Sequence, residues 1–134
     1  MVMGSHWTNE VRTLPLDQLP EAEQTDRHWR PEDVGLERVD RAAVANDSLT
    51  FKIVATASFI EAGSDLYARN LAEFFADDDA VRHWLVHSWE PEELQHGATL
   101  RAYVGRGWPD FPWEERFQSF LAEYSRTTRS SKRR

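Results

Sequence analysis

Two stretches in the middle of the chain carry a helical rhythm of apolar and small residues. In the first, Val54, Ala57, Glu61, Ser64, Ala68, Leu71 and Phe75 recur at spacings of three and four, which places them on one face of a helix. This helix is predicted to start at an Asn46/Asp47/Ser48 cap and to run to about Ala76. In the second, Val86, Trp89, Glu93, His96, Leu100 and Tyr103 share a face of a helix over about Asp79 to Val104, ended by Gly105-Arg106-Gly107. The intervening Asp77-Asp78-Asp79 is short enough to dictate an antiparallel hairpin, with Asp78 or Asp79 capping the second helix. A short helix is expected from Pro31 through Val34, Arg38 and Ala42, and a third main helix from Pro112 to Tyr124 that buries Phe117, Phe120, Leu121 and Tyr124. The prediction is therefore all-α: a long hairpin of the kind that makes half of a four-helix bundle, a short N-terminal helix and a C-terminal helix.

Residues 1–30 sustain no apolar period, and Pro15 and Pro20 interrupt them; Trp7 and Trp29 are expected to pin this arm to the body. Three parts result: an arm with a short helix over 1–45, a helical domain over 46–125, and a basic tail over 126–134 expected to be solvated and disordered. The connector Trp108-Pro109-Asp110-Phe111-Pro112-Trp113 is read as packing the end of the hairpin.

Charge narrows the partners. The chain has 134 residues and a net charge of -7, but five of its 16 basic groups and none of its 23 acidic ones lie after Ser125, so residues 1–125 carry a net -12. Such a body repels nucleic acid and anionic lipid, and neither is expected as a partner. No apolar run is long enough to span a bilayer and no charged-then-apolar leader opens the chain, so a cytoplasmic location is expected. With no cysteine, thiol catalysis and cysteine-ligated metal are excluded, and any metal site must use carboxylate and imidazole.

Glu61, Glu93 and His96 interrupt the two inner stripes. Glu61 lies about 16 residues before the turn at Asp77 and Glu93 about 16 after it, so both stand about 24 Å from the turn at 1.5 Å per residue. Two carboxylates and an imidazole thus converge at one level, where a cation offsets their mutual repulsion; such donors suit iron, manganese or zinc. Two other readings fit the spacing equally: Glu61 salt-bridged to Arg82 or Arg101, and His96 as a satisfied core histidine. His83 and His87, four apart on one face, have the spacing of a chelate but no neighbouring carboxylate in the pattern, and are read as surface or interface residues.

The run Trp89-Glu90-Pro91-Glu92-Glu93-Leu94-Gln95-His96-Gly97 resembles the W-x-x-E-E-x-x-H-G run of the acyl-carrier-protein desaturases, members of the ferritin-like di-iron carboxylate superfamily. The resemblance covers roughly residues 48–110. It implies that Glu61 is a single-helix metal ligand, Glu93 a bridging carboxylate and His96 the nitrogen ligand, while Glu92 points elsewhere and Trp89 and Tyr103 either back the site or pack in the core. It also implies bound iron, as in a di-iron centre, or manganese, and either an oxidoreductase acting on a small molecule or a ferroxidase. Pro91 departs from good helix chemistry and is expected to kink the helix one turn before the site. The family's second Glu and second Glu-x-x-His are missing after His96. Completion by a homodimer, and a chain that is the N-terminal half of a bundle with its complementary half lost, both account for that. The alternative function is a non-catalytic helical interaction module that keeps the fold without a working centre.

Overall fold

The computed structural model describes residues 29–131, with side chains described to Arg126. Trp7 and the last three residues of the basic tail lie outside it. Two single 3-10 turns, Pro31–Val34 and Leu36–Arg38, precede six α-helical segments: α1 (Arg41–Val44), α2 (Ser48–Ala62), α3 (Ser64–Phe74), α4 (Asp79–Trp84), α5 (Glu90–Gly107) and α6 (Trp113–Ser131). A π turn, Leu85–Trp89, joins α4 to α5, so that 79–107 is one helix of 29 residues. Among the described residues there is no strand, and no helix is long and apolar enough to cross a membrane. The fold is all-α.

Local chemistry sets the boundaries. The Asp47 carboxylate accepts from the Thr50 amide at 2.9 Å and from its hydroxyl at 2.7 Å, starting α2. Asp78 does the same for α4 through the Val81 amide at 3.0 Å. The continuous short helix expected over 31–42 is instead broken into turns, because Gly35 takes a left-handed conformation at φ 68°. Arg106 reaches back to the Leu36 and Glu37 carbonyls and ties these turns to the end of α5.

Both long helices depart from simple regularity near the polar stripe. The first breaks at Gly63, two residues before Asp65, and the Ser64 hydroxyl donates to the Glu61 carbonyl there. In the second, the expected kink at Pro91 is absorbed by the π turn. The Glu90 amide bonds to the Leu85 carbonyl five residues back, which makes room for a proline ring that has no N–H to offer. α6 begins where predicted but continues to Ser131, so residues 126–131 extend a helix instead of forming a disordered tail.

Along α2 the packed seam is displaced by one position from the predicted stripe, whereas on α3 the predicted Ser64 and Ala68 are buried. Ala55, Ser58 and Ala62 are buried on α2, whereas Glu61 lies at the seam's edge and Leu71 and Phe75 face solvent. The displacement has a physical cause: α2 and α5 meet through small residues, and it is backbone that fills the gap. Beside the seam, Phe59 gathers Phe111, Trp113, Phe117 and Phe120 at ring separations of 5.4 to 6.3 Å, which fastens α6 and the aromatic connector onto α2. The Ser58 hydroxyl is buried there, donates to the Ala55 carbonyl at 2.7 Å and accepts from Trp113 Nε1 at 2.8 Å. Ser58→Ala strands the indole N–H in the core, and a loss of about 1–3 kcal/mol is expected in denaturant unfolding. A loss under half a kcal/mol would show that the hydrogen bond is replaced.

Candidate metal centre

Glu61 comes from the last turn of α2, Glu93 and His96 from the first turns of α5. One donor atom of each lies within 4.8 Å of the others, the one such group of three among the described residues. His96 Nδ1 stands 3.3 Å from Glu93 Oε2, as expected for residues one turn apart. The structure thus brings the three predicted residues to one point between antiparallel helices, and the two competing readings lose their partners. Arg101 pairs with Glu114 at 3.0 Å and lies 4.5 Å over the Trp113 ring, and Arg82 pairs with Asp79 at 3.0 Å. Neither arginine serves Glu61. His96 is no core histidine either, since its side chain keeps 39% of its exposure.

The helices come this close because of Gly97. A Cβ built there would stand 2.4 Å from the Ala62 amide nitrogen and 2.7 Å from the Glu61 carbonyl carbon, so the backbones of α2 and α5 touch beside the three side chains. On the other side, the Trp29 indole lies parallel to the His96 imidazole, with centroids 5.6 Å apart and planes 4° apart, and the Gln95 side-chain amide donates to the Trp29 carbonyl at 2.8 Å. Trp29 therefore does fasten the N-terminal segment to the body, and it does so on the imidazole itself. Trp89 and Tyr103, expected to back the site or to pack in the core, are half-buried and pair with Trp84 and Trp108.

Burial pushes the Glu61 carboxyl up to about 7, helped by a hydrogen bond and charge repulsion from Glu93. Glu61 is thereby held toward its neutral form beside Glu93. A second acidic layer lies one turn away: Asp65 is buried with its Oδ1 lacking a hydrogen-bond partner, Arg69 stands 3.4 Å from its other oxygen, and burial raises both Asp65 and Glu90. The spacing of Asp65, four residues after Glu61, was available in the sequence as a signal for this layer. So was Gly97, an interior helical glycine that needs a packing reason.

The sign of the pH dependence follows. With the folded carboxyl at about 7 and its ordinary value at 4.5, the Glu61 contribution to stability is full below 4.5 and is lost as pH rises through about 7. A cation needs the ionised form and displaces that proton. The rise in melting temperature caused by Mn²⁺ is therefore expected to grow between about pH 6 and 8. Glu61→Gln should flatten the metal-free profile across that window. An increment independent of pH would show that Glu61 does not meet the ion.

Comparison with protein-family models, with curated proteins and with solved structures finds no match to this chain. The reading of the centre rests on its own geometry and on the nine-residue run.

Proposed function

We propose that the chain is a ferritin-like metal-binding protein in which Glu61, Glu93 and His96 hold iron, or manganese, as one half of a dinuclear non-haem centre. The observation that carries this reading is the convergence of two carboxylates and an imidazole within 4.8 Å on facing helices. The donor set fits a hard to borderline cation: the three atoms lie within 4.8 Å of one another, and a cation would offset the repulsion between the Glu61 and Glu93 carboxylates. Bound iron would supply one-electron chemistry toward O₂, as an oxidoreductase or a ferroxidase uses it. The protein's part is to fix the donors. Glu93 and His96 are set one turn apart on α5, Gly97 lets α2 carry Glu61 up to them, and Trp29 holds the imidazole plane. The partial exposure of Glu93 and His96 leaves a side open to a small molecule or to further ligands.

The remaining ligands come, in this reading, from a second copy. α2 carries only Lys52 and Glu61 as charged residues, and it turns Leu49, Ile53 and Ile60 outward at 67%, 60% and 44% exposure. A helix that is apolar on its outer face as well as its inner one is suited to being covered. Native mass and iron content measured on one sample test the proposal: a dimer with about one iron per chain is expected. A monomer that takes up no ferrous iron overturns it.

A second reading has one observation in its favour. Burial raises the Glu61 carboxyl to about 7, so that its neutral form can stand beside Glu93 without a cation, as a non-catalytic helical module requires. That reading predicts a melting temperature indifferent to chelator and to added metal.

A further inference from the structure

Metal-ligating side chains also gather outside the centre. Asp79, His83, His87 and Glu90 follow one another along the long helix at spacings of four, four and three, and all line a cleft of about 1010 Å³ bordered by α3, α4 and the end of α6. The His83 and His87 imidazoles lie with ring centroids 4.3 Å apart and planes inclined by 38°. Both residues are exposed, so burial does not force them together. Two imidazoles bound side by side to one ion through bonds of about 2.0–2.1 Å have ring centres about 4.5–5 Å apart. The pair already stands close to that separation. The sequence pattern offered the spacing without an acidic neighbour. Asp79, Glu90 and Glu73 line the same cleft, but among the described residues none of them joins the two imidazoles in a three-donor group, so the pair itself is the candidate chelate. Asp79 is engaged by Arg82 at 3.0 Å, which leaves imidazole the dominant donor.

We propose that His83 and His87 form a second metal site that takes an imidazole-preferring divalent cation of the Ni²⁺, Cu²⁺ and Zn²⁺ class. The two sites differ in donor chemistry. The Glu61 centre has two carboxylates to one imidazole and favours harder ions, whereas the cleft site has paired imidazoles and leaves the other positions on the ion to water. An ion held here joins α4, which carries His83, to the π turn, which carries His87. It would brace the wide turn that precedes Pro91.

The test is a calorimetric titration of the full chain with Ni²⁺, carried out in a Glu93→Ala/His96→Ala background so that the first centre is silent. One Ni²⁺ per chain is expected. His83→Asn and His87→Asn, each added to that background, should weaken it at least about 10-fold, because the second bond of a chelate forms at high effective concentration. In the otherwise unaltered chain the same two substitutions should leave the Mn²⁺ response unchanged. Ni²⁺ binding that is absent, or indifferent to both substitutions because other groups bind it, overturns the proposal. Should either variant fail to keep its far-ultraviolet helical signal, protection of His83 and His87 from diethyl pyrocarbonate by Ni²⁺ decides the matter in the unsubstituted chain. Equal modification with and without Ni²⁺ rejects the site.

Discussion

Replacing Glu93 and His96 together by alanine is expected to abolish the response of the protein to Mn²⁺ and Fe²⁺ while leaving the helical fold in place. The substitution reduces the converging donors from three to one, and a single carboxylate does not retain a first-row ion against water. Loss of a group that only supports a ligand already costs 10–100-fold in affinity, so loss of two ligands should exceed about 100-fold. The readout is large. An ion at a hundred times its dissociation constant stabilises the folded state by about 2.7 kcal/mol, a shift of many degrees in a domain of this size. That shift should vanish in the variant. The fold should survive because Glu93 and His96 are only half-buried and fill no part of the core. The metal-free variant should be more stable than its parent near neutral pH, since the charge of Glu93 no longer opposes ionisation of Glu61. Burial is the larger cause of the raised Glu61 value, so its titration should move only part of the way back. Unchanged Mn²⁺ affinity in the variant would refute the assignment of the centre.

Gly97→Leu is the second large effect, and it needs no change to any ligand. A side chain at this position meets the amide nitrogen of Ala62 at 2.4 Å and its Cα at 2.6 Å, and backbone inside a helix has no rotamer to give way with. The two helices must part. Overpacking of this kind costs about 1–3 kcal/mol, and more where the obstacle is main chain. The helix-propensity gain from removing a glycine, up to about 1 kcal/mol, offsets part of it. Separation of α2 from α5 also carries Glu61 away from Glu93 and His96, so Mn²⁺ affinity should fall along with stability. Gly105→Ala is the matched control on the same helix. Its Cβ meets nothing within 4 Å, so propensity alone acts and stability should rise by several tenths of a kcal/mol. If Gly97→Leu and Gly105→Ala behaved alike, the close crossing at the centre would be disproved.

Most of the fold was legible in the sequence where the signal is local. The Asp47 and Asp78 caps, the acidic turn between the long helices and the aromatic connector all rest on a few neighbouring residues, and the structure places them as their chemistry requires. The three residues of the centre were also legible, because an ionisable group on an apolar stripe is conspicuous and because two positions equidistant from a turn stand at the same height. What the pattern misjudged was the packed face of α2 and the stripe beyond Ala68, while Ser64 and Ala68 are buried as predicted. Counting apolar side chains favoured Leu71 and Phe75, yet these face solvent, while Ala55, Ser58, Ala62 and Gly97 lie at or near the crossing. Small residues mark a seam by what they leave out, and a hydrophobic count does not register an absence.

By itself, then, the sequence determined the helices, their caps, the antiparallel turn and the pair of heights at which Glu61, Glu93 and His96 occur, since each follows from backbone geometry and nearest neighbours along the chain. Only the tertiary structure decided what surrounds them. It assigned Arg82 and Arg101 to other carboxylates, laid Trp29 flat against His96, brought His83 and His87 into one cleft with Glu90, and took up Pro91 in a π turn. The Arg101–Glu114 pair, the Trp29–His96 stacking and the approach of α2 to α5 at Gly97 depend on contacts between residues distant in the chain, whereas the Asp79–Arg82 pair, the His83–His87 pair and the π turn are side-chain and backbone choices within one helix that apolar periodicity does not register.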